Sequence, residues 1–174
     1  MDNTLTSLQD SAKEEERIAK LYGYNITKEY VKSGTFQHVV GMAAHIFNVP
    51  IALINFQDKE HALIDSSIGL DGYDIVDRDV TLCSQAILRE EVTVFRNAKE
   101  EPCLSNNPFV HGDFGLRFYA GAPIRTLEGY CIGVLGIGDT KPRDFTTEDE
   151  DVLEGLAAII VNELEENKRR TEVG

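Results

Sequence analysis

The 174-residue sequence contains no run of about 18 apolar residues, so it offers no membrane-spanning helix. Its polar, acidic start lacks the apolar core of a secretory signal, which makes the cytoplasm the expected location. Basic residues are scarce: 17 Lys and Arg stand against 30 Asp and Glu, a net charge of −13. Such a surface repels phosphate backbones and anionic lipid, so neither nucleic acid nor a membrane is an expected partner. Only three cysteines occur, Cys83, Cys103 and Cys131, at unrelated spacings. An odd, scattered set fits neither a disulfide framework nor a closed zinc site. No Gly-rich phosphate loop leads from a strand into a helix, and there is no nucleophile elbow and no carboxylate pair with a defined partner. The sequence demands no cofactor.

What is present is an ordinary globular composition, 42% hydrophobic and 27% charged, in a chain long enough for one domain with its own core. The residues from Asn106 to Asp139 organise it. Two strand-forming runs, Arg117 to Thr126 and Tyr130 to Gly138, flank Leu127-Glu128-Gly129, the pattern of an antiparallel hairpin. Pro123 marks a bulge or a strand position with its N–H side free. Gly121, Gly133, Gly136 and Gly138 strip side chains from this ribbon, so a packed helix or a bound molecule is expected close to its backbone.

Residues 1–12 read as a flexible lead-in, 13–170 as one domain and 171–174 as a tail. A helix is expected from Ser11 to Tyr22, and a second from Gly34 to Asn48, where Phe36, Val39, Val40, Ala43, Ala44 and Phe47 recur at three and four. Asn48-Val49-Pro50 ends it. Ile51 to Gln57 and His61 to Ile68 read as strands, Gly69 to Arg78 as a loop, Val80 to Glu90 as a short helix and Val92 to Arg96 as a strand. Asn97 is placed to cap a following turn. Thr147 and Glu150 stand at capping-box spacing before a long helix running to about Arg170, acidic at its start and basic at its end. Strands in the middle with helices before and after give an α+β layer architecture.

Several stretches together resemble the GAF domain, in the branch found at the N-terminus of bacterial sensor kinases and cyclases. They are Glu16 to Leu21, Phe47 to Ile54, Cys83 to Leu88, Asn107 to Val110, Leu116 to Ile124, Ile132 to Leu135, and Asp139-Thr140 with Pro142-Arg143. The most specific is Arg117 to Pro123. The resemblance implies a PAS-related fold, a central antiparallel sheet with helices on both sides. It also implies a cavity on one sheet face, roofed by the short helix after Cys83 and by the loop before Phe118. The function implied is a non-enzymatic sensory or regulatory module with an unidentified small-molecule ligand and a downstream output domain. Two positions depart from the branch: Asn97 replaces its usual Asp, and Cys103-Leu104 replaces an Arg-Phe pair after the proline.

Candidate ligand-binding residues are Cys83, Arg96, Asn97, Phe109, Phe114 and Phe118. Cys83 reads as a pocket-lining thiol or a chromophore anchor, against a small buried hydrophobe; bilin-binding relatives place a His after the Cys, and here Ser84 follows. Arg96, Arg117 and Arg125 suit an anionic ligand or plain surface ion pairs. Phe118 and Tyr119 are adjacent on a strand, so one faces the covered side; Phe118, which shares parity with Ala120 and Ala122, is the expected one. Cys103 lies near the place where free methionine sulfoxide reductases, another GAF branch, carry a catalytic cysteine. Glu100 and Glu101 beside it oppose a thiolate, and no cysteine stands where that branch has its resolving partner. His38 and His45 are two helical turns, about 10 Å, apart, too far to share a metal. Ile18 and Leu21 on the first helix, with Leu153, Leu156, Ile160 and Leu164 on the last, form a seam for a parallel homodimer built as a four-helix bundle. A dimerisation scaffold with a closed pocket is the remaining alternative.

Overall fold

The computed structural model describes residues 3–24, 26, 35–58, 61–69, 75–77 and 91–173. Helix α1 is Asn3–Gly23 and α2 is Gln37–Phe47. Strands β1 (Ile51–Gln57), β2 (His61–Ile68), β3 (Ile75–Asp77) and β4 (Thr93–Phe95) follow. Two 3-10 turns, Ala98–Glu100 and Pro102–Leu104, lead to the short helix α3, Pro108–His111. Strands β5 (Phe118–Arg125) and β6 (Cys131–Asp139) make the hairpin, and α4, Thr147–Val173, ends the described chain. The strands form one sheet in the order β3-β2-β1-β6-β5-β4, every neighbouring pair antiparallel.

The central strands are buried on both faces, and all seven residues of β1 lie inside. On the first face α1, α2 and α4 cover a core that includes Leu21, Phe36, Val40, Ile54, Phe118, Ile137, Leu153 and Leu164. On the second face a smaller cluster of Ile51, Leu53, Phe95, Leu104, Val110, Tyr119 and Val134 lies under the 3-10 turns and α3. Phe118 and Tyr119 are therefore both buried, on opposite faces. Pro123 lies past the end of β4, which pairs only as far as Gly121, and beside a register shift between Ile124 and Arg125.

One buried cation holds α1 to the sheet. Arg17 is 7% exposed, and its guanidinium forks onto both oxygens of Glu14 at 2.8 and 2.9 Å. It also donates to the carbonyls of Gln57 at 2.7 Å, Cys131 at 3.2 Å and Asp58 at 3.3 Å. These carbonyls lie beyond Phe56–Gly133, where the β1–β6 register ends. A buried charge is tolerable only when so fully paired. Lys20–Glu128 at 3.3 Å and a hydrogen bond from Tyr130 to Glu16 bind the same helix to the hairpin loop.

Three expectations change, and a fourth falls outside the described residues. The first helix begins at Asn3 rather than Ser11. The expected loop from Gly69 to Arg78 contains β3, too short to show a period of its own. The expected helix from Val80 to Glu90, with Cys83, lies outside the described residues. The capping box is one residue earlier: Thr146 N–H donates to Asp149 Oδ2 at 2.9 Å, and Asp149 N–H to Thr146 Oγ1 at 3.1 Å. Thr147 is already the first residue of the helix. Thr146→Ala is expected to cost about 1 kcal/mol in urea unfolding, and Thr147→Ala less than about 0.5 kcal/mol. The reverse ranking would restore the box at Thr147.

Candidate functional site

Alternation along β1 sends Ala52, Ile54 and Phe56 to the helix face and Ile51, Leu53, Asn55 and Gln57 to the second face. Two amides thus enter an otherwise apolar surface, both fully buried. Gln57 Nε2 donates to Asn55 Oδ1 at 3.4 Å, while Asn55 Nδ2 and Gln57 Oε1 have no partner. Turning both amides over leaves the same remainder, one donor and one acceptor. Each unpartnered buried group costs about 1–3 kcal/mol. Thr93 Oγ1 on β4 is likewise buried and unpartnered.

Next to this pair the glycine ribbon is filled from within. A Cβ at Gly121 would meet the Tyr119 hydroxyl at 2.5 Å, and one at Gly136 would meet the Tyr119 ring at 3.0 Å. The expected close neighbour of this ribbon is thus a side chain of β5 itself, stacked on Phe95 at 6.3 Å between ring centroids. Phe109 and Phe114 meet edge to face at 5.8 Å beside the cluster. Elsewhere, an open groove of about 340 Å³ runs between α4 and β5, lined by Pro123, Arg125, Leu127, Glu154 and Val161 among others.

The GAF domain family matches residues 33–164. The chain belongs to that family. Over 127 residues it is 37% identical to a cyclic di-GMP phosphodiesterase of Pseudomonas aeruginosa, covering 72% of this chain and 22% of that protein's length. The fold is similar to the GAF domain of an Acinetobacter phosphoenolpyruvate-protein phosphotransferase, with TM-score 0.64, 17% identity, and 91% of this chain and 97% of that one covered. It is similar to the same degree to a type II free methionine-R-sulfoxide reductase from Thermoplasma acidophilum, with TM-score 0.64, 18% identity, and 80% and 95% covered.

Within this GAF domain the residues proposed from sequence are scattered. Phe118 packs in the helix-side core, against Phe145 at 5.6 Å and under the Arg143 guanidinium, and Tyr119 stands on the second face instead. Arg96 donates to the carbonyl of Phe145 at 2.7 Å and ties β4 to the approach of α4. Arg117 donates to the carbonyls of Val110 at 2.7 Å and Leu116 at 3.0 Å. Both guanidines are engaged in holding loops. Asn97 caps its 3-10 turn, its side chain accepting from Lys99 N–H at 3.3 Å. Phe109 and Phe114 do border the second-face cluster. Cys83 is outside the described residues, and so is the side chain of Cys103, whose backbone forms the turn Pro102–Leu104. Cys131 bonds to the carbonyl of Gly133 at 3.4 Å, and burial pushes its thiol pKa up, away from a reactive thiolate. Sequence reading passed over Asn55 and Gln57; the available signal was a pair of amides two apart in a strand otherwise apolar.

The six residues named for a dimer seam also move. Leu21, Leu153, Leu156, Ile160 and Leu164 are buried in the chain's own first-face core, and Ile18 is half-buried. A seam spent on the sheet is not free for a partner.

On the helix face Asp65, 5% exposed, accepts from Phe36 N–H at 3.3 Å and from the Ser66 hydroxyl at 2.8 Å through Oδ2, leaving Oδ1 without a partner. Burial raises its pKa above 3.8, outweighing those two bonds. The folded state therefore holds this proton more tightly than the unfolded chain. The stability it contributes is complete below about pH 3.8 and is lost as pH rises through the folded value. Asp65→Asn keeps an acceptor and removes the titration. Its stability relative to the parent should rise between about pH 4 and the folded pKa, then level off, in urea melts across pH 4–8. A difference that does not change with pH would show that Asp65 titrates normally.

Proposed function

We propose that this GAF domain is the regulatory module of a cytoplasmic signalling protein. It takes up a small uncharged ligand on the second sheet face, and the ligand's presence is felt through α1 and α4 by an output domain elsewhere in the protein. The observation that carries this reading is the pair Asn55 and Gln57. Two buried amides that bond once to each other and present one donor and one acceptor are a cost without return in a finished core. A ligand with a neighbouring acceptor and donor would remove that cost. The groups there are uncharged, and Arg96 and Arg117 are held by backbone carbonyls, so an anion has little to recommend it. The relative from Pseudomonas aeruginosa, of which this chain spans 22%, suggests the kind of protein such a module regulates.

The route to the output follows the same residue. Gln57 offers its side chain to the ligand and its carbonyl to Arg17 of α1. A shift of β1 on ligand entry changes the anchor of that helix. Self-association belongs to the same reading, through helical surface other than the buried leucines.

Asn55→Leu with Gln57→Met replaces both amides by apolar groups of similar shape. The ligand-free protein should be unchanged or stabilised by up to about 3 kcal/mol, because both partners leave together. Native mass spectrometry of the parent after gentle purification should show a bound small molecule that the double variant lacks. Destabilisation beyond about 2 kcal/mol would give the pair a structural role and remove it as a ligand site.

A reductase reading makes a separate demand on Cys103. Cys103→Ser should leave stability within about 0.5 kcal/mol, and neither protein should reduce free methionine sulfoxide. Turnover by the parent that vanishes in the variant would make the domain an enzyme.

A further inference from the structure

Among the described residues four exposed, large apolar side chains lie on two neighbouring helices: Met42 and Ile46 on α2, Val152 and Ile159 on α4. His38 and Glu163, 2.9 Å apart, join these helices at one end, and Phe47 and Phe145, 5.4 Å between ring centroids, meet near the other. The helices therefore run in opposite senses. His38, Met42 and Ile46 recur at four and make one row of α2, on the side that His38 turns to α4. Glu163, Ile159, Leu156 and Val152 recur at four and three and make the facing row of α4. Leu156 in that row is buried in the first-face core and floors the furrow between the two helices. No neighbouring element comes within 4 Å of the Cβ position of Gly155, so the furrow is open on the outer side of α4.

Charge selects what fits here. From Glu148 to Glu166 every charged residue of α4 is an acid, and α2 has no ionisable residues but His38 and His45. Glu148 and Glu166, both exposed, stand five turns apart at the same angle and bracket the apolar strip, about 27 Å from end to end. The bases at its two ends are engaged: Arg143 with Asp139 and the carbonyls of Phe47 and Asn48, Arg170 with Glu166 at 3.7 Å. An apolar furrow between two helices with acids along it is the complement of a third, amphipathic helix with basic flanks. We propose that this furrow receives such a helix from another protein, its apolar row between α2 and α4 and its Lys or Arg residues against Glu148 and Glu166. Charge also decides against a second copy. Among the described residues a second copy offers α4, acidic along this whole stretch, and α2, without Lys or Arg. Its α1 has Arg17 buried and Lys20 paired with Glu128, leaving Lys13 beside Glu15 and Glu16. Like charge opposes each of these, in a chain whose net charge is already −13.

The probe is a phage-displayed library of helices about 18 residues long, with flanking positions free to be Lys, Arg, Glu or Gln, selected on the full chain. Enriched helices should carry apolar residues at i, i+3 or i+4, and i+7, with Lys or Arg beside them. A synthetic peptide of such a sequence should bind in fluorescence anisotropy and weaken as salt rises. Met42→Gln with Ile46→Gln keeps charge and helix propensity at two exposed positions. That variant should leave the circular dichroism spectrum and thermal melting unchanged and weaken the peptide at least about tenfold. Glu148→Gln with Glu166→Gln should weaken it at least about threefold and flatten its salt dependence. No enrichment, enrichment of acidic or uncharged flanks, or a peptide indifferent to the Met42 and Ile46 changes would overturn the proposal. A dimer in light scattering that the Met42 and Ile46 changes abolish would make a second copy the occupant, and would overturn it as well.

Discussion

Three neighbouring strands, β1, β6 and β5, must be kept dry on both faces, and the remainder of the domain is arranged to do it. Burial on two sides turns the usual alternation of a half-exposed strand into a nearly continuous apolar run. One face is met by whole helices, which bring long apolar stripes. The other has only two 3-10 turns and a one-turn helix among the described residues, and it compensates with rings, Phe95, Tyr119, Phe109 and Phe114. Tyr119 lies across Gly121 and Gly136, so side chain and clearance are supplied by the same hairpin.

Against that background the buried amides of Asn55 and Gln57 stand out. Thr93 is the comparable group on the same sheet, but the register puts it at the opposite edge, opposite Gly121, with two strands between β4 and β1. The amide pair is also where the sheet is tied to α1, because Arg17 takes the carbonyl of Gln57. A guanidinium with its partners fixed at both ends cannot follow a moving strand without carrying its helix along. The unpartnered amide and the helix anchor therefore share a residue, Gln57.

The helices show how one amphipathic pattern can answer two questions. α4 has apolar residues at positions that serve the sheet, Leu153, Leu156, Ile160 and Leu164, and a second, thinner set, Val152 and Ile159, about a quarter turn away. Only the first set is regular enough to be seen by spacing, so spacing alone assigned it to a partner. The sheet had the prior claim, since a chain folds on itself at far higher effective concentration than it meets a second copy.

By itself the sequence determined the hairpin, the strand bounds of β1 and β2, the second helix and the long last one, because each is written in local periodicity and punctuation. The matching stretches from Phe47 to Ile54 and Leu116 to Ile124 also carried the family, which residues 33–164 bear out. Facing and partnership were decided only by the tertiary structure. Whether Phe118 or Tyr119 served the second face depended on which layer lay on each side, and strand parity is silent on that. Whether Arg96 and Arg117 were free for a ligand depended on carbonyls 49 and 7 residues away in the chain. The weight of Asn55 and Gln57 is of the same kind: a polar residue in a strand becomes a candidate for binding only when burial has closed over it and no partner has come, and both conditions are properties of the packed whole.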